Sequence, residues 1–206
     1  MSSKSRPELR KAPRQQRSRE MVRRIIDAGQ RVLIAHGYDG ASTNRIAEAA
    51  GISPGSLYQY FPNKDAIIGA VIDRYQSEVA ERVRAHVLDN FTASPEVAVR
   101  QSISVLLEAL GDHPGLLRAV IEQTPRLSVG DTVVDFEHQM VELTRTALTL
   151  RKVTRPGDAD TETAAWLLVR IAEHLTVRYI LDRPDIPRET FIDSLTRMIV
   201  NYFRYR

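Results

Sequence analysis

Helix punctuation in residues 42–64, STNRIAEAAGISPGSLYQYFPNK, specifies two short helices joined by a tight turn. Ser42 is an N-cap type, and the helix formers Thr43 to Ala50 follow it. Gly51 stops that helix, because glycine enters the left-handed conformation of a C-terminal cap without steric cost. Ser53 and Pro54 begin the second helix, a cap followed by proline at the first helical position. It carries Ser56, Leu57, Tyr58, Gln59, Tyr60 and Phe61 until Pro62 breaks it, and Asn63, Lys64 and Asp65 open the next. Two helices that meet steeply need small residues where they touch, which Ala47 and Gly51 supply. Ile46, Ala50, Ile52, Leu57 and Phe61 form the apolar side of a small three-helix core.

The second helix then presents Ser, Gly and Tyr on its outer face, a surface that fits the major groove of DNA. Charge supports a polyanion at this end of the chain. Residues 1–24 hold nine basic groups against Glu8 and Glu20, although the whole chain carries only +3. The body is therefore mildly acidic and the amino-terminal end strongly basic. Residues 1–13, with Pro7, Pro13 and scattered charge, read as a disordered basic tail.

These motifs resemble the TetR family of bacterial transcriptional regulators. The resemblance rests on Ala41-Ser42-Thr43, Ile46-Ala47, Ala50-Gly51-Ile52-Ser53, Gly55 to Phe61, and Lys64-Asp65, and it covers about Arg17 to Ile72. It implies phosphate and base contacts from Thr43, Arg45, Ser53, Gly55, Ser56, Tyr58, Tyr60 and Lys64. Of the two tyrosines, Tyr58 points outward and Tyr60 is expected to be half buried. Gln59 stands where the family often has a basic or aromatic residue, which leaves the base preference open. The remaining chain matches the family in length and helical character.

The fold expected is all-α, with no alternating strand pattern and no internal repeat. Helix 1 spans about Gln15 to His36, with Val22, Ile25, Ile26, Gly29, Val32 and Leu33 on one face, and Gly37 ends it. Residues 14–62 form a helix-turn-helix DNA-binding domain and residues 63–206 a helical ligand-binding and dimerisation bundle. A long helix from Lys64 to Leu88, near 35 Å at about 1.5 Å per residue, joins the two as a mechanical link. Further helices are expected at about Ser94–Leu110, Leu116–Gln123, Thr132–Lys152, Asp160–Leu181 and Pro187–Tyr205. Gly111–Gly115, Pro125, residues 128–130, Pro156-Gly157-Asp158 and Arg183-Pro184-Asp185 punctuate them.

Several functions are disfavoured. Without cysteine the chain has no disulfide, thiolate nucleophile or Cys-ligated zinc, which suits a reducing cytoplasm, the expected location. The five histidines (His36, His86, His113, His138, His174) show no metal-ligand spacing, and no G-x-S-x-G, P-loop or Rossmann glycine pattern occurs. Neither an enzyme, a cofactor, a metal site nor a membrane association is expected.

The last two helices are apolar over a wide arc, which requires cover on more than one side. That cover comes from the subunit itself or from a partner. The family resemblance implies a homodimer, with Leu195, Met198, Ile199 and Tyr202 in the seam. Trp166, Arg170, His174 and Arg178 share one face at four-residue spacing, with Glu173 beside it. That face is either solvent-facing or the polar wall of a small-molecule pocket whose apolar lining comes from Leu106, Leu110, Leu117, Ile121 and Met140. The functional expectation is a repressor that binds a palindromic operator as a homodimer and is released by a small molecule. The alternative is a DNA-binding or architectural protein without an inducer, controlled by a protein partner.

Overall fold

The computed structural model describes residues 11–90, 92–123, 130–150 and 160–204. Among these residues there are nine α-helices and no strand. They are α1 (Lys11–Gly40), α2 (Thr43–Ala50), α3 (Pro54–Tyr58), α4 (Lys64–Asp89), α5 (Pro95–Gly111), α6 (Pro114–Gln123), α7 (Gly130–Leu150), α8 (Thr161–Asp182) and α9 (Arg188–Arg204). The chain divides into two compact units between Val71 and Ile72. The boundary lies inside α4, nine residues beyond the expected one at Pro62, so the first turns of α4 belong to the head. Helix α1 begins at Lys11, so the expected tail gives up its last residues to a helix. The rest of that tail, the Pro125 stop, residues 128–129 of the expected loop and the Pro156–Asp158 turn lie outside the described residues, and Gly130 of that loop already belongs to α7.

The head is assembled from α1, α2, α3 and the start of α4. The apolar positions read on helix 1 bury Ile25, Val32 and Leu33, together with Ala28. Ile46, Ala47 and Ala50 from α2 and Leu57 from α3 meet this face, and Met21, Ile52, Tyr60 and Phe61 close its rim. At Gly29 α1 approaches α4 closely: a Cβ there would lie 2.8 Å from Ile67 Cγ2. Gly37 interrupts α1 with φ of +65°, and Tyr38 to Gly40 add a further turn beyond the expected end at His36. Helix α3 ends at Tyr58, three residues short of the expected Phe61. Hydrogen bonds from Tyr60 N and Phe61 N to Leu57 O carry one last turn past Tyr58.

The second unit contains the rest of α4 and the helices that follow. Ser94 caps α5, Asp160 caps α8 through a 2.6 Å bond from Thr163 N, and Pro184 follows the left-handed Arg183 that ends α8. Ile103 and Leu107 of α5 pack against Ile192, Leu195 and Ile199 of α9. Tyr179 stacks on Phe191 at 4.3 Å between ring centroids. At the rim of this core Arg100 pairs with Glu189 and Asp193, and Arg188 pairs with Glu108. Exposed pairs of this kind add little stability singly, and burial of the apolar cluster dominates.

This packing corrects two residues of the expected dimer seam. Leu195 and Ile199 are buried in the chain's own core, facing α5, and are not free for a partner. Of the expected seam Met198 stays exposed (61%) and Tyr202 half buried, and α8 leaves Trp166 (51%) and Ile171 (38%) uncovered besides.

Candidate nucleic-acid interface and cavity

The head holds the helix-turn-helix through side chains that sit on the helix ends. Ser42 Oγ accepts from Arg45 N at 3.2 Å, and Gly51 takes the left-handed conformation, with φ of 64°. The carboxyl end of α2 receives two cations from α1: Arg31 donates to Ala49 O at 2.9 Å and Arg24 to Gly51 O at 3.3 Å. Both complement the partial negative charge of that helix end. Arg45 turns back to donate to Gly40 O, so it braces the turn before α2.

At α3, Ser53 Oγ accepts from Ser56 N at 3.1 Å and lies 2.9 Å from Ser56 Oγ. Ser53 and Gly55 are exposed and Ser56 half buried. The Tyr58 ring is 53% exposed, and its hydroxyl is 3.1 Å from Thr43 Oγ1, which ties α3 to the first residue of α2. Tyr60 packs half buried on the head core. Lys64 donates to Tyr38 O at 3.1 Å and lies 3.9 Å over the Tyr38 ring, and the Tyr38 hydroxyl donates to Asp65 at 2.7 Å. The structure therefore adds Tyr38 to the site, a residue not among those expected there. An aromatic directly after the helix-breaking Gly37 was the signal for it.

The second unit encloses a cavity of about 620 Å³, within the range of small-molecule sites. Its lining includes all five apolar residues expected there, Leu106, Leu110, Leu117, Ile121 and Met140. Tyr75, Gln76, Val79, Val83 and Val87 of α4 form one wall. From α8 come Val169, Ala172, Glu173 and Val177, with Glu137 and Thr144 from α7.

Of the two alternatives for the polar stripe, the pocket wall is not the one this arrangement gives. Trp166, Arg170 and His174 do not line the cavity, and Trp166 and His174 are exposed. The inward face of α8 is one residue over, about 100° of helix rotation, at Val169 and Glu173. Arg170 acts on the cavity indirectly. Both ends of its guanidinium bond Glu137, it lies 3.5 Å from Glu173, and it sits 5.9 Å over the Trp166 ring. Burial, and then the neighbouring Glu137, push the Glu173 carboxyl above its usual range, against Arg170 and His174. Burial and the Asp112 carboxylate push the Tyr75 phenol up, and its hydroxyl donates to Leu110 O at 3.2 Å.

No group of His, Asp and Glu side chains among the described residues is arranged to hold a metal ion. No helix among them is long and apolar enough to cross a membrane.

Residues 25–71 match the family model of bacterial regulatory proteins, tetR family, and residues 94–203 match the tetracyclin repressor-like carboxyl-terminal domain. The chain belongs to the TetR family of transcriptional regulators. The fatty acid metabolism regulator protein of Bacillus subtilis is 33% identical over 89 residues, covering 43% of this chain and 45% of that protein. The chain spans about half the length of the curated relatives it matches first. Among solved structures, a TetR-family regulator from Mesorhizobium loti superposes with a TM-score of 0.75 at 24% identity, over 90% of this chain and 97% of that one. FadR from Bacillus subtilis, in complex with stearoyl-CoA, superposes with a TM-score of 0.66 at 18% identity, over 87% and 97%. At these identities the superpositions speak to the TetR fold alone.

Proposed function

We propose that this TetR-family protein is a repressor that binds an inverted-repeat operator as a homodimer and is released by an apolar small molecule. The observation that carries the ligand reading is the 620 Å³ cavity and its largely aliphatic lining. The relationship to a fatty acid metabolism regulator, and the stearoyl-CoA held by FadR, support a ligand with a long apolar part. In the head, Thr43 and Tyr58 meet phosphate through their joined hydroxyls, with Ser53, Gly55 and Ser56 near base edges. Arg45, Tyr60 and Lys64 flank this surface.

Coupling runs through α4. Its first turns pack in the head and its later turns wall the cavity through Tyr75, Gln76, Val79, Val83 and Val87. A ligand that fits only one placement of α4 shifts the dimer toward a head spacing that mismatches DNA, with the Gly111–Gly115 break as the yielding segment. Met198, Trp166 and Ile171 supply the apolar surface for the partner. Footprinting on DNA beside the protein's own coding region tests the reading. A protected inverted repeat is expected. A protein that protects no DNA, or that remains a monomer at micromolar concentration, contradicts it.

A further inference from the structure

The charged groups of the cavity lining are unbalanced in one direction. Among the described lining residues the charged side chains are Glu137 and Glu173, and none is Lys, Arg or His. Gln76 is buried in the wall, and its Oε1 has no hydrogen-bond partner among the described residues. Tyr75, a donor in the same wall, is already committed to Leu110 O. A neighbouring guanidinium, Arg170, sits behind the lining with both ends on Glu137 and lies 3.5 Å from Glu173. One arginine therefore serves two carboxylates, and its fork is spent on the other one.

We infer that the cavity takes an apolar molecule ending in a protonated amine, with the ammonium paired to Glu173. The inference rests on the reading of the cavity as a ligand site and adds the chemistry of the head group. Apolar surface in the wall accommodates the ligand body, and a single ammonium offsets the excess of negative charge. A carboxylate or phosphate head meets the reverse situation, two acidic side chains and an unpaired carbonyl oxygen in a low-dielectric site. The same physics explains why burial and Glu137 disfavour the charged form of Glu173 when no ammonium is present. His174, the other basic group near Glu173, is exposed on the outer face of α8 and leaves the inner side of the carboxyl open.

Decylamine, decanol and decanoate share one chain and differ in the head, so their binding to the full-length protein at neutral pH separates chain from charge. Each is titrated below its micelle threshold by calorimetry and by thermal shift. Decylamine is expected to bind at least about tenfold more tightly than decanoate, with decanol between them. Glu173→Gln is expected to weaken decylamine about tenfold while leaving decanol within about twofold. Decanoate binding as tightly as decylamine, or an unchanged amine affinity in Glu173→Gln, overturns the inference. The three-probe comparison on the unmodified protein decides the matter even where the variant folds poorly. Decanol binding without a preference for the amine rejects the head group and keeps the cavity. Failure of all three to bind rejects the cavity reading together with the inference.

Discussion

Lys64, the first residue of α4, lies 3.9 Å over the ring of Tyr38 and donates to the Tyr38 carbonyl at 3.1 Å. The side chain expected to meet a phosphate thus also ties the end of α1 to the start of α4. An ammonium has three donors, so the carbonyl and the ring leave capacity for an anion. Lys64→Met should lose the carbonyl bond and the cation–π contact and lower stability by about 1–2 kcal/mol. Denaturant unfolding measures this. A variant as stable as the parent would show that neither contact stabilises the head.

Tyr58 offers the complementary case. Its ring is mostly exposed, so Tyr58→Ala should leave stability within about 0.5 kcal/mol. Operator binding should weaken by about 1–3 kcal/mol. Tyr58→Phe keeps the ring and loses the hydroxyl 3.1 Å from Thr43 Oγ1, so it should fall between the two. Gel-shift titration at several salt concentrations distinguishes a lost phosphate contact from a lost base contact.

The helix-turn-helix was legible because its signals are local. Ser42, Gly51, Ser53 and Pro54 act on backbone groups within a few residues, and each sits at the boundary it was read to mark. The cavity wall was legible only in part. Spacing shows that Trp166, Arg170 and His174 share a face, but the direction of that face depends on how α8 meets α7 and α5. Tertiary packing turned Val169 and Glu173 inward instead. For Leu195 and Ile199 the apolar period was real, and what it could not reveal was that α5 of the same chain covers them.

Two glycines give opposite expectations for one substitution. Gly29→Ala places a methyl 2.8 Å from Ile67 Cγ2 and 3.3 Å from Val71 Cγ2, so the α1–α4 contact must open. It should cost about 1–3 kcal/mol. Gly69, inside α4, has nothing within 4 Å of its missing Cβ. Gly69→Ala should stabilise the chain by up to about 1 kcal/mol through helix propensity. Thermal unfolding of the pair checks the contrast.

Glu173 makes stability depend on pH. Burial and Glu137 raise its folded pKa, opposed by Arg170 and His174, so the folded chain holds this proton more tightly than the unfolded chain. Its contribution is fully present below the ordinary carboxylate range and is lost as pH rises through the raised value. Glu173→Gln removes that titration. Unfolding free energies measured from about pH 4 to pH 8 should therefore fall less steeply in the variant than in the parent. Parallel curves would show that Glu173 titrates alike in both states.

Substitutions in α9 separate folding from assembly. Leu195 is 2% exposed within the core shared with Ile103, Leu107 and Ile192. Leu195→Glu buries a carboxylate without a partner and should cost more than about 3 kcal/mol, so its failure to bind operator says nothing about dimers. Met198 is 61% exposed on the same helix. Met198→Glu leaves the subunit core intact and should stay folded by circular dichroism. If Met198, Trp166 and Ile171 form the partner surface, two acidic side chains meet near the two-fold axis and the dimer weakens. Sedimentation velocity should then show folded monomers at concentrations where the parent is dimeric, with operator affinity reduced in step. A Met198→Glu protein that sediments as the parent does would place the dimer surface elsewhere on the second unit.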